Sequence, residues 1–164
     1  DGKGFFLAAL GNYENGKLDS AHEMLVHPDC VPALGDGGAH YGAICDASYS
    51  TFLLTHWVRD RARGSKMSIE HVVHRQTRET AITYGLMDRG AIVPGLRADL
   101  NVIDFDNLSF TTPKMAFDFP ANGKRLIQKA NGYKATFVNG VQTIANDEFT
   151  DQFPGRLVRG PQSV

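Results

Sequence analysis

The densest chemistry in this sequence sits in Val31-Pro32-Ala33-Leu34-Gly35-Asp36-Gly37-Gly38-Ala39-His40. A short apolar run ends in a carboxylate, two glycines and an imidazole. Such a run reads as a buried parallel strand. A carboxylate at its exit stands where α/β barrels and open sheets place their reactive groups. Gly37 and Gly38 let backbone approach a ligand without a Cβ in the way, and their N–H groups could face an oxyanion. His40 could contact substrate or move a proton, because histidine as a residue type changes charge near neutral pH. The same residues also read as an ordinary turn, since Asp-Gly is a common turn dipeptide.

Other reactive side chains offer weaker patterns. His71 and His74 stand three apart and share a helix face, but no acidic or thiol partner is evident beside them. They read as helix surface or satisfied core. Cys30 and Cys45 are too few for a disulfide scaffold and lack zinc-site spacing. Cys45 and Asp46 read as residues that order a loop, because no base is present to activate the thiol. Arg156 and Arg159 could grip a carboxylate in bidentate fashion, or form an exposed tail. Arg59, Asp60, Arg61 and Arg63 read as a solvated helix face, with Phe52 and Trp57 in the core on the other side.

These residues need elements to hold them. Gly4 to Leu10 and Val31 to Leu34 read as strands, with a helix from Leu18 to His27 between them, capped by Asp19 or Ser20 and stopped by Pro28. This order is a piece of a βα repeat. A glycine-bearing loop spans 37–47 and carries His40, Tyr41, Cys45 and Asp46. A helix is expected from Tyr49 to Arg63, ending at Gly64. Ser68 reads as the cap of a helix over Ile69 to Gln76, and Thr77 to Tyr84 continues it or restarts as a helix, with Gly85 and Leu86 as its close. Beyond Gly90 the pattern turns to short strands at Ala91 to Val93, Asp99 to Asp104, Arg125 to Lys129, Lys134 to Asn139 and Val141 to Ala145. Asn139-Gly140 between two apolar runs is a hairpin signal. The chain is thus mixed α/β, with a boundary at Leu86 to Gly90.

Composition narrows the partners. The 164 residues suffice for one domain with a real core. A net charge of -1 argues against nucleic acid and against an anionic membrane surface. No apolar run approaches a membrane span. Asp1 to Leu10 is too short and too glycine-rich for a signal peptide. A reducing, cytoplasmic setting fits the two cysteines.

Several motifs together resemble the N-acyl-D-amino-acid deacylases, or D-aminoacylases, of the amidohydrolase superfamily. They are Gly35-Asp36-Gly37-Gly38-Ala39-His40, Cys45-Asp46-Ala47-Ser48, Thr55-His56-Trp57-Val58-Arg59-Asp60, Asp88-Arg89-Gly90 and Pro154-Gly155-Arg156-Leu157-Val158-Arg159-Gly160. The run from Gly90 to Asp104 is similar to the strand–turn–strand that leads such enzymes from barrel to β-sandwich, and Val138-Asn139-Gly140 matches a later hairpin.

The resemblance implies the C-terminal part of a metal-dependent (β/α)8 barrel over residues 1–88. A small antiparallel β-sandwich segment and tail would follow over 89–164. It implies hydrolysis of the amide in an N-acyl-D-amino acid, with Asp36 as general base or metal ligand, Gly37, Gly38 and His40 near the substrate, and zinc as the metal. A complete barrel needs about 250 residues. No His-x-His pair occurs among His22, His27, His40, His56, His71 and His74. The chain is therefore expected to be the tail of a larger enzyme, inactive alone, that self-associates or needs an upstream segment. The alternatives are a non-catalytic relic or assembly piece, and another amidohydrolase such as a cyclic-amide hydrolase.

Overall fold

The computed structural model describes residue 11, residues 13–33 and residues 40–164. Helices come first and antiparallel strands follow, so the mixed α/β reading holds at that level. The expected strand at Gly4 to Leu10 lies outside the described residues. Val31, Pro32 and Ala33 have irregular backbone where a strand was expected, and Leu34 is outside the described set. Pro32 lacks an N–H and so cannot join a ladder fully, which weakens any strand there.

Helix α1 is Asp19–Val26. Its cap position is Leu18, without a side-chain bond, so the expected cap by Asp19 or Ser20 is corrected. Both polar side chains are engaged elsewhere. Asp19 accepts from Arg61, and the Ser20 hydroxyl donates to Glu14 over 2.7 Å. Ala21 is buried, and Leu18 and Leu25 pack beside it.

A short turn at Asp46–Ser48 leads into helix α2 over residues 49–60, an α-turn Tyr49–Phe52 followed by a wider π-helical stretch, Leu53–Asp60. The π character shows in the closing bond, Arg61 N–H to His56 carbonyl at 2.8 Å, which spans five residues. Leu53, Leu54 and Trp57 face the core. Burying each contributes about 2 kcal/mol.

Helix α3 covers residues 69–83 without a break. The Ser68 hydroxyl accepts the His71 N–H at 3.2 Å, as the sequence led us to expect. Its end is a Schellman close: Leu86 N–H to Ala81 carbonyl at 2.8 Å and Gly85 N–H to Ile82 carbonyl at 2.9 Å.

The strands are β1 Leu100–Ile103, β2 Ser109–Phe110, β3 Lys114–Phe119, β4 Gly123–Ile127, β5 Ala130–Asn131, β6 Tyr133–Val138, β7 Val141–Ala145 and β8 Glu148–Phe149. Among the described residues every pairing between these strands is antiparallel, in sheets ordered β1-β6-β7-β8, β2-β5 and β3-β4. Asn139 and Gly140 both take positive φ in the two-residue turn between β6 and β7, where Val138 faces Val141. That is the type I′ hairpin their identities signal. Ala91 to Val93 is not a strand; it leads into the Pro94-Gly95 turn, and Ile92 and Val93 are exposed. An apolar run without a neighbouring ladder stays irregular.

The core joins both halves. Leu108, between β1 and β2, is fully buried among Leu53, Trp57, Met67 and Val72, with Ile103, Phe105 and Tyr133 packed against them. The C-terminal tail returns to the end of α3: Gln162 accepts the Met87 N–H at 2.9 Å and donates to the Gly85 carbonyl at 2.8 Å.

Candidate active-site loop

Asp36, Gly37 and Gly38 lie outside the described residues, so the described site begins at His40. His40 is exposed, and its carbonyl accepts the N–H groups of Ala43 and Ile44, both at 2.9 Å. This closes a tight turn directly after the Asp-Gly-Gly run. The next residue reaches the β half. The Tyr41 carbonyl accepts the Leu126 N–H at 2.6 Å, and the Tyr41 ring meets the edge of Phe119, 6.1 Å between centroids. Lys124 lies over Gly42.

Cys45 is half-buried, with its thiol 4.0 Å from the Gln128 amide oxygen. Gln128 in turn donates to the Thr111 carbonyl at 2.9 Å. Burial first, and the neighbouring Asp46 charge second, push the Cys45 thiol above its ordinary value. It therefore stays protonated and is a poor nucleophile. That agrees with a loop-ordering part. Thr51, buried in α2, then meets the Tyr133 hydroxyl at 2.8 Å. Loop 40–48 is thus held between β3–β4 on one side and α2 with β6 on the other.

The contacts by which Leu126, Phe119, Gln128 and Tyr133 hold this loop carried no sequence signal, although Leu126 and Gln128 fall in the expected strand Arg125 to Lys129. These residues lie about 80 residues from their partners, and no local pattern announces a contact at that separation.

Arg75 braces the segment that leads toward Asp36. It is 5% exposed and donates to the carbonyls of His27 and Cys30, the latter at 2.5 Å, while pairing with Glu79 at 2.6 Å. His74 approaches the same Glu79 at 3.6 Å, a carboxylate partner the sequence reading did not see. His71 is half-buried beside Val72 and Leu53. Among the described residues no group of three or more His, Cys, Asp or Glu side chains could hold a metal ion.

The expected solvated face at the end of α2 is corrected in part: Asp60 and Arg63 are exposed, but Arg61 is buried and Arg59 is half-buried. Arg61 is only 4% exposed, with its guanidinium 4.4 Å from the Trp57 ring. The Trp57 face and Asp19 offset part of the cost of burying that charge. Arg59 points its fork at the carbonyls of Phe105, Asp106 and Leu108, and Asp60 pairs with it at 2.7 Å. Arg156 and Arg159 lie exposed on the tail.

The described part of the site is thus a loop that follows an Asp-Gly-Gly run in sequence and is held by the β3–β4 hairpin. The family comparison decides the matter: the amidohydrolase family matches residues 6–144, most of the chain. This chain belongs to the amidohydrolase family. Within that family it is related to the D-aminoacylases. It is 30% identical over 105 residues to an N-acyl-D-aspartate deacylase from Alcaligenes xylosoxydans xylosoxydans. That match takes in 63% of this amidohydrolase chain but 19% of the relative, so the chain spans about one fifth of that protein's length. No solved structure matches it. No helix among the described residues is long and apolar enough to cross a membrane.

Proposed function

We propose that this chain supplies the C-terminal part of a hydrolase that cleaves the amide of N-acyl-D-amino acids. Asp36 would act as general base for the attacking water and then return that proton to the leaving amine. The observation that carries the reading is the match over 105 residues to an N-acyl-D-aspartate deacylase. The turn at His40 and its clamp by Leu126 support it, because they would fix the backbone just after the carboxylate. Gly37, Gly38 and His40 would border the substrate. The full fold of the gene product would be a (β/α)8 barrel with a small β-sandwich.

Zinc is the metal the family relationship suggests. The described residues do not fit it: they hold no cluster of three or more suitable side chains. Asp36 alone is too few ligands for a zinc site. We therefore assign this chain a carboxylate and a braced loop, and derive no step through a metal.

We also propose that the chain works against further protein, a second copy or an upstream segment. Ile82, Tyr84, Phe153 and Leu157 are large apolar side chains left exposed, which suits a covered surface better than a free one.

The test is hydrolysis of N-acetyl-D-aspartate by the whole gene product that contains this chain. Asp36→Asn should lower kcat by about 100- to 10,000-fold, the usual worth of acid–base catalysis, with little change in stability. An unchanged kcat overturns the role given to Asp36.

A further inference from the structure

A cleft of about 510 Å³ opens beside the C-terminal end of α2, away from loop 40–48. Its size lies in the range of small-molecule sites, far above what one or two waters need. Lys17, Asp19, His56, Asp60, Arg61 and Arg63 are among its lining residues.

The charges of this lining do not balance. Asp60 is engaged by the Arg59 fork at 2.7 and 2.9 Å, and Asp19 by Arg61 Nη2 at 2.8 Å. Both carboxylates are thus already neutralised. Lys17 and Arg63 remain as cations lining the same space, Arg63 with only a long 3.5 Å contact from Nη2 to the Gly16 carbonyl. Arg61 itself is buried and uses Nε on the Arg63 carbonyl at 2.6 Å, but its Nη1 has no hydrogen-bond partner among the described residues. The Nε2 of His56 is likewise buried without one among them. A charged donor left unmet inside a protein is costly, and a bond made there is stronger than one made in water. Oxygen anions with more than one acceptor are the natural complement of a guanidinium edge.

We propose that this cleft binds a small oxyanion, a carboxylate or a phosphate, with Arg61 at its floor and Lys17 and Arg63 at its rim. The assignment is independent of the role given to Asp36.

Trp57 is the only tryptophan of the chain, and the Arg61 guanidinium lies 4.4 Å from its ring. Engagement of Arg61 therefore reports directly in tryptophan emission. The experiment titrates the full chain with sodium phosphate and with sodium acetate, against sodium chloride at matched ionic strength. A saturable change with phosphate or acetate and none with chloride is expected. The stronger of the two assigns the ligand as phosphoryl or carboxylate. Arg61→Lys should weaken binding roughly tenfold, because the planar fork is lost while the charge stays. Lys17→Ala, at an exposed position, should weaken it several-fold with the far-ultraviolet circular dichroism unchanged. If Arg61→Lys fails to fold, Lys17→Ala decides alone. A response that never saturates, one that chloride reproduces, or Lys17→Ala binding as tightly as the parent overturns the proposal.

Discussion

Arg61 donates from Nη2 to Oδ1 of Asp19 over 2.8 Å, and this ion pair joins the turn after α2 to the first turn of α1. Gly64 passes directly over it. A Cβ there would stand 2.6 Å from that Asp19 oxygen, and closer still to the guanidinium, at a backbone φ of +83°. Gly64→Ala therefore meets both a clash and a left-handed backbone. It should destabilise the chain by about 2 kcal/mol, the left-handed cost alone being about 1–2. Chemical denaturation checks this, and an unchanged midpoint contradicts the contact.

The pH dependence of stability should carry a signature of His56. Burial first, then the Arg61 charge, hold its imidazole below the ordinary 6.5, against an opposing pull from Asp60. Below pH 6.5 the unfolded chain then binds a proton that the folded chain refuses. Its effect is nil above that value, and stability falls as pH drops through 6.5 toward the folded value. His56→Gln should flatten this limb. Urea midpoints for both proteins across the acid range test it, and equal slopes count against it.

Arg59 holds the connection between β1 and β2. Its fork reaches the carbonyls of Phe105, Asp106 and Leu108, with the last at 2.8 Å. Arg59→Ala leaves these acceptors without their charged donor, beside the fully buried Leu108 side chain. The expected loss is about 2–3 kcal/mol. Thermal melting measures it, and a shift in Tm of less than a degree would show that solvent replaces the fork.

The purified chain should show no zinc-dependent hydrolysis of N-acetyl-D-aspartate and should self-associate. No metal-fit cluster exists among the described residues, and Ile82, Tyr84, Phe153 and Leu157 are exposed. Turnover with zinc against a chelator tests the first point, and light scattering across concentration tests the second. Zinc-dependent turnover that Asp36→Asn abolishes, or a clean monomer at high concentration, overturns the corresponding expectation.

The sequence alone determined what is local. Ser68 capping α3, Gly85-Leu86 closing it, and Asn139-Gly140 turning the hairpin each act within a few residues, through φ preference and short-range hydrogen bonds. Membership of the amidohydrolase family was legible too, because its motifs are short runs read in order. The tertiary structure decided what depends on distant partners. Arg61 looked like a surface charge until Trp57 and Asp19 closed on it. Asp19 looked like a cap until Arg61 took its carboxylate. Tyr41, Cys45 and Thr51 are positioned by Leu126, Gln128 and Tyr133, contacts that cross more than 80 residues. Such pairings exist only after the two halves have packed around Leu108. Burial, and with it the worth of a charge or a hydrogen bond, is a property of that packing and not of any stretch of sequence.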